Sequence, residues 1–176
     1  SENISSHVKL GLQMKLKRGE LIGYNGCLGY VYDKESKQIS VNYEEAEIVR
    51  YIFERYCQGV GCTTIAKELT TMKYRTPTGK KKWHESTIRG ILKNEKYKGD
   101  VLQGKTYTTD PISHRRVVNM GEENMYYMQE HHEPIISERM FNQVQEILQK
   151  RGGVRGFGRR KGNFSRKYPF SSRLYC

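Results

Sequence analysis

Apolar residues return every fourth position at the start of the chain, where Ile4, Val8, Leu12 and Leu16 alternate with Lys9, Lys15, Lys17 and Arg18 and stop at Gly19. That spacing predicts an amphipathic helix over residues 1–19 whose stripe needs a partner to bury it. The pattern changes at LGYVY (28–32) and QISVN (38–42), which flank the polar DKESK and predict a hairpin with Tyr30, Tyr32, Ile39 and Val41 partly buried. A strong helix follows. Asn42 can cap it, Glu45 can close a capping box, and Val49, Ile52, Phe53 and Tyr56 repeat at helical spacing until Gly59 ends it. Gly59 to Gly61 then makes a tight turn into a short helix faced by Cys62, Ile65, Ala66 and Leu69. After the basic loop KYRTPTGKKK, the segment WHESTIRGILKN places Ile88, Ile91 and Leu92 on one side. With His84 as N-cap, Trp83 and Ile88 form a hydrophobic staple.

Beyond Gly99 the period becomes two, through GDVLQGKTYT, a TDP turn, ISHRRVVN and NMYYMQE, which predicts a small antiparallel sheet. Ser137 caps a last helix in which Phe141, Val144, Ile147 and Leu148 face inward, Ile136 staples to Phe141, and Arg151 and Gly152 mark the end. The remainder is rich in Gly, Ser and Arg and cannot bury a core by itself. The expected fold class is therefore α+β, mostly helical, with a helix-turn-helix-like arrangement, a β-hairpin and a small antiparallel sheet. At 176 residues this is one or two small domains, and apolar runs of three or four residues fall far short of the roughly 18 that span a bilayer. No leader precedes Ser1, so the N-terminus reads as a processed end or a boundary set by cloning.

Charge sharpens the picture. Lys and Arg number 31 against 19 Asp and Glu, a formal net charge of +12, and the excess is concentrated. From Lys73 to Lys98 nine basic residues face only Glu85 and Glu95, and nine more lie between Lys150 and Cys176 with no acid. Two basic regions flanking a folded middle, interleaved with tyrosines, are the electrostatic footprint of a polyanion partner. On the expected third helix Ser86, Arg89, Gly90 and Lys93 share one solvent-facing stripe with a small residue at its centre, a shape that lets a helix lie close to a groove floor. Arg89 can fork onto a guanine edge and Lys93 onto a base or phosphate, while Lys80, Lys81 and Lys82 need only backbone phosphates. Arg75 and Thr87 complete this candidate set.

Catalytic chemistry finds little support. His131 and His132 are adjacent, so in a strand they would point to opposite faces, and His7 and His114 add no carboxylate or Cys at ligand spacing. Cys57 and Cys62 read as core residues. With Cys27 and Cys176 at irregular spacing they form no disulfide scaffold, which favours a reducing, cytoplasmic setting. No phosphate loop, nucleophile elbow or acidic pair for two-metal nuclease chemistry is present. Tyrosines are numerous, but none is marked out as a nucleophile.

The succession GYNGCLGYVYD, VNYEEAEIVRYIFERYCQGVGCTTIAKELT, RTPTGKKKWHESTIRGILKNEKYKGDVLQGKTYT and HHEPIISERMFNQVQEILQKR resembles the recombinase domain of large serine recombinases, in the resolvase and invertase superfamily. The resemblance covers nearly the whole chain. It implies three parts: residues 1–19 as the end of an interdomain linker helix, 20–151 as a DNA-binding domain, and 152–176 as a basic linker leading into a zinc ribbon. It implies sequence-specific binding of double-stranded DNA at a recombination attachment half-site, within a bacterial or phage-encoded integrase of a mobile element that works as a dimer or tetramer on DNA. The family's nucleophilic serine belongs to a domain with no counterpart in these residues, so no strand cleavage is expected of them and no catalytic residue is assigned. No metal is expected on this stretch either. Cys176 resembles the first zinc ligand of the ribbon in a longer protein. His84 stands where the family more often has a Ser or Thr cap, and Gly90 where a bulkier basic residue is common, so base preference does not transfer. A helix-turn-helix transcriptional regulator and a basic RNA-binding module remain the alternatives, the latter suggested by the Arg-Gly-rich tail.

In that tail Arg155, Arg159, Arg160 and Lys161 are interleaved with glycines, a pattern suited to crossing a narrow A·T-rich minor groove. Removing residues 152–176 should leave the thermal midpoint nearly unchanged while weakening DNA binding, most on sites with an A·T tract beside the half-site core. Equal affinity of the truncated and intact chains across several salt concentrations would reduce the tail to a spacer.

Overall fold

The computed structural model describes residues 2–18, 20–22, 26–108 and 115–154. The first helix, α1 (Glu2–Lys17), leaves Leu12 exposed and Leu16 half-buried. The hairpin is formed by β1 (Tyr30–Tyr32) and β2 (Ile39–Val41), paired antiparallel with Tyr30 opposite Val41. Three helices follow: α2 (Tyr43–Cys57), α3 (Cys62–Thr71) and α4 (Glu85–Leu92). The inward residues expected of them, Val49, Ile52, Phe53, Tyr56, Cys62, Ile65, Ala66, Leu69, Ile88, Ile91 and Leu92, all lie in one buried cluster.

The start of α2 is capped differently from the expected box. Asn42 Oδ1 accepts from the Glu45 amide at 3.5 Å, but the Glu45 carboxylate turns to the Gly29 amide at 2.8 Å. Its usual target, the Asn42 amide, is already committed to the Gly29 carbonyl at 2.9 Å, so the hairpin and the helix are tied together at this point.

A 3-10 turn, Glu95–Lys98, follows α4 and was not legible as an element. It buries Tyr97, and Gly99 leaves it in the left-handed conformation at φ +93°. The chain then forms β3 (Val101–Gln103), β4 (Thr106–Thr108), β5 (Arg116–Val118) and β6 (Tyr126–Met128). These make two separate ladders, β3 with β6 and β4 with β5, in place of one small sheet. The break lies at Gly104, whose φ is +81°, and Asn119 holds it there: its Nδ2 donates to the Gly104 carbonyl at 2.8 Å and to the Glu123 carbonyl at 2.7 Å. The expected TDP turn lies outside the described residues.

His131 and His132 sit in a loop and not in a strand, so their rings do not diverge. They meet edge to face with centroids 5.6 Å apart, because the amides of both residues bond the Gly99 carbonyl. The final helix, α5 (Glu138–Val154), runs past the expected stop at Arg151 and Gly152. Arg151 donates to the Gly59 carbonyl at 2.6 Å and stacks 4.7 Å over the Tyr56 ring, which supports the last turns of α5 against the end of α2. Phe141 and Val144 are buried in the core, and Ile147 and Leu148 pack partly against it. At the end of the 3-10 turn, Lys98 pairs with Asp100 at 2.6 Å, and Tyr127 donates to the same carboxylate. Burial opposes ionisation of Asp100, but the hydrogen bonds from Lys98, Tyr127 and the Glu130 amide outweigh it and hold the carboxyl below its ordinary range.

A Cβ on Gly99 would stand 2.8 Å from the His132 carbonyl oxygen, in a backbone conformation that L side chains rarely adopt. Gly99→Ala should therefore cost about 2–4 kcal/mol and lower the thermal midpoint by several degrees in a circular-dichroism melt. An unchanged midpoint would show that the 97–99 turn and the 131–136 loop are free to separate.

Candidate nucleic-acid interface

The packing of α4 decides which of its side chains face solvent. Ile88, Ile91 and Leu92 are buried, so Ser86, Arg89, Gly90 and Lys93 project outward, and all four are exposed as the spacing requires. Thr87 is half-buried at the edge of this face. Both ends of the helix are pinned. At its start Trp83 is buried in the same core cluster as Ile88, in keeping with the staple, while His84 occupies the N-cap position without a side-chain hydrogen bond. At its end Gln145 of α5 donates to the Leu92 carbonyl at 2.7 Å, satisfying one of the groups a helix terminus leaves open.

Arg89 does not hang freely. Its guanidinium pairs with Glu85 one turn earlier, and the other Glu85 oxygen accepts from the Thr63 hydroxyl of α3 at 3.0 Å. Such an exposed pair adds little stability, and it biases the fork toward Glu85 without locking it. His84, Glu85, Ser86, Arg89, Gly90 and Lys93 together line a shallow concavity of about 590 Å³.

The basic loop before α4 is an ordered turn. The Thr76 amide donates to the Lys80 carbonyl at 2.9 Å, the Lys80 amide donates to Thr76 Oγ1 at 3.0 Å, and Arg75 reaches the Gly79 carbonyl at 3.3 Å. Trp83 fastens the turn to α3. Its amide donates to Thr70 Oγ1 at 3.0 Å and its indole nitrogen to the Tyr74 carbonyl at 3.0 Å. Lys80, Lys81 and Lys82 are therefore exposed on a backbone with a defined path. A groove of about 840 Å³ runs between this loop and α3, lined by Lys67, Thr70, Thr71, Lys73, Arg75, Lys81, Lys82 and Trp83.

Lys67, Thr70 and Thr71 were not among the expected contacts. Their spacing of three and four along the polar side of α3 was the available signal, fainter than the lysine run of the loop and the stripe of the next helix. Among the described residues no acid lines this groove. The nearest acid on the same helix, Glu68, is turned to α2, where it accepts from Arg55 Nη2 at 2.6 Å and from the Tyr51 hydroxyl at 2.8 Å. Hydrogen bonds from Arg55 and then from Tyr51 hold the Glu68 carboxyl below its usual range, so it stays ionised and occupied there.

Arg155, Arg159, Arg160, Lys161 and Cys176 lie outside the described residues. Among the described residues no His, Cys, Asp or Glu group is placed to hold a metal ion, and no helix is long and apolar enough to cross a membrane.

Comparison with known proteins places this geometry among relatives. The Recombinase family model matches residues 43–151. A protein of Bacillus subtilis (strain 168) named "Putative DNA recombinase" is 34% identical over 112 residues, which is 61% of this chain and 22% of that protein. A second, "Uncharacterized protein YefB" of the same organism, is 46% identical over 68 residues, covering 38% of this chain and 22% of its own length. This chain thus spans about a fifth of the length of the curated relatives it matches. Two solved structures share the fold at a TM-score of 0.57 over 83% of this chain. One is an LSR–DNA complex, 22% identical with 38% of its chain covered. The other concerns sequence requirements of the Listeria innocua prophage attP site, 23% identical with 52% covered.

Thr70 carries the junction of loop and helix, because its hydroxyl both accepts from Trp83 and donates to the Ala66 carbonyl at 2.7 Å. Thr70→Val keeps the shape and leaves the Trp83 amide without a partner, which should cost about 1–3 kcal/mol in urea unfolding. Thr70→Ser should recover most of that loss. Equal stability of Thr70→Val and the parent chain would mean that the loop is held by other contacts.

Proposed function

This chain belongs to the Recombinase family, and on that premise we propose that it binds duplex DNA sequence-specifically at a recombination attachment half-site, as the DNA-binding part of a serine site-specific recombinase. The observation that carries the proposal is the exposed, rigidly mounted face of α4 beside an ordered basic loop, with Arg89 and Lys93 on one and Lys80, Lys81 and Lys82 on the other. The helix supplies groups able to read base edges, and the loop supplies charge for phosphates. Arg75, Ser86 and Thr87 flank this surface, and the groove adds Lys67 and Lys73.

In the proposed parent protein, cutting and rejoining of duplexes belongs to a nucleophile domain, and two or four copies assemble on DNA. Residues 1–19 are proposed as the end of the helix leading from that domain, 20–151 as the DNA-binding unit, and 152–176 as a basic linker toward a zinc ribbon that begins at Cys176. The bonds of Arg151 to Gly59 and Val60 bring the end of α5 beside the turn preceding α3, and Arg155, Arg159, Arg160 and Lys161 of the linker are proposed as further DNA contacts.

If about six phosphates are contacted, affinity should fall roughly a thousandfold between about 50 and 200 mM salt. Within that behaviour, Arg89→Ala should cost about 1–3 kcal/mol on a cognate site and relax preference at one or two base pairs, whereas Lys81→Ala should weaken all sequences alike. Fluorescence anisotropy with cognate and scrambled duplexes measures both. A flat salt titration, or equal effects of the two substitutions on both duplexes, would sink the assignment, and preference for structured RNA over duplex DNA would replace it with an RNA-binding role.

A further inference from the structure

Gly90 occupies the sixth of the eight residues of α4, where glycine weakens a helix and nothing in the fold asks for it. Its backbone is ordinary helix, and a Cβ placed on it would meet no atom within 4 Å. Gly99 and Gly104 differ, since each combines a positive φ with a neighbouring carbonyl oxygen under 3 Å from where a Cβ would stand. The missing side chain at Gly90 therefore serves no internal contact. It opens the floor of the concavity on the exposed face of α4, between Arg89 and Lys93, with Ser86 one turn earlier.

What fits this space follows from its lining. Gly90 contributes only backbone to this floor, and the surface of the concavity as a whole is more apolar than polar, although His84, Glu85, Ser86, Arg89 and Lys93 also line it. A charged or hydrogen-bonding group gains little from such a floor, whereas a compact apolar one loses only water. On a major-groove wall the compact apolar group is the 5-methyl of thymine. At the rim Arg89 pairs with Glu85, itself bonded to Thr63, which biases the direction of its fork before the helix docks and leaves it able to engage an adjacent base pair. We propose that the concavity at Gly90 is a specificity subsite for a thymine methyl group, with Glu85 as the positioning residue that holds Arg89 beside it.

The inference rests on the DNA-binding reading, and its test separates the two. The 176-residue chain is first used to enrich its preferred sequence from a randomised duplex pool. Each thymine of that duplex is then replaced in turn by uracil, which removes only the methyl group. The parent chain should lose about fivefold to tenfold in affinity at one position of the α4 footprint and little elsewhere. Gly90→Ala should abolish that difference between thymine and uracil, because the added methyl occupies the same space, while raising the thermal midpoint by about 2–4 °C through better helix propensity. Glu85→Gln should keep the thymine effect and relax preference at the neighbouring base pair read by Arg89. Enrichment of no duplex would overturn the DNA-binding reading and this inference with it. Enrichment with no uracil-sensitive position, or with the same uracil effect in Gly90→Ala, would overturn the subsite alone.

Discussion

The buried phenol of Tyr30 joins three segments that are far apart in sequence. Its oxygen donates to the Glu133 carbonyl at 2.9 Å, lies 3.2 Å from the Lys96 carbonyl and accepts from the Ile135 amide at 3.2 Å. The ring lies against Tyr97 and meets His132 edge to face at 4.7 Å. Burial pushes the phenol above its ordinary titration range and pushes His132 down, so both are neutral near pH 7, and His132 Nε2 can donate to the Lys96 carbonyl at 2.8 Å. A hairpin of three-residue strands has no stability of its own. Anchored by Tyr30, it closes one side of the core, and the same bonds fix the 3-10 turn at the end of α4 and the loop leading into α5.

That arrangement bears directly on the proposed interface. The end of α4 is held from below, by the 3-10 turn that follows it and by Gln145 of α5 on the Leu92 carbonyl. Its start is held from the side, by Trp83 on Thr70 and Glu85 on Thr63. A reading helix gains specificity only if its side chains arrive in a fixed geometry, since the entropy of ordering them is then not charged to binding. The interior supplies that rigidity.

Acids and bases are sorted on the same principle. Arg55 is engaged by Glu68, Lys98 by Asp100, and Lys105 by Glu95 at 2.7 Å, which joins the 3-10 turn to the start of β4. These pairs connect elements of the scaffold. Lys67, Lys73, Lys81 and Lys82 converge instead on a groove that, among the described residues, no carboxylate lines. The formal charge of +12 matters less than this separation, because a field directed outward from one surface steers a polyanion where an evenly mixed surface does not.

Much of this was legible along the chain because it depends on local spacing. The faces of α2 to α5, the caps at Asn42 and Ser137, the staple of Trp83 and Ile88 and the exposed stripe from Ser86 to Lys93 follow from a 3.6-residue period and the chemistry of helix ends. The motifs from Trp83 to Gly99 and EPIIS likewise carried the family resemblance. What failed to show depends on partners distant in sequence. Glu45 abandons its box because Gly29 has taken the Asn42 amide. The strand through Gly104 breaks because Asn119 bonds its carbonyl from across the loop. His131 and His132 are turned together by one carbonyl, that of Gly99. Period and capping are properties of neighbours, so local pattern is enough to set which helices form and which faces they bury. Competition for a hydrogen-bonding group is settled only when the whole chain is packed, so packing alone fixes where Tyr30 anchors the core, which acids leave the basic groove, and that Gly90 opens onto empty space.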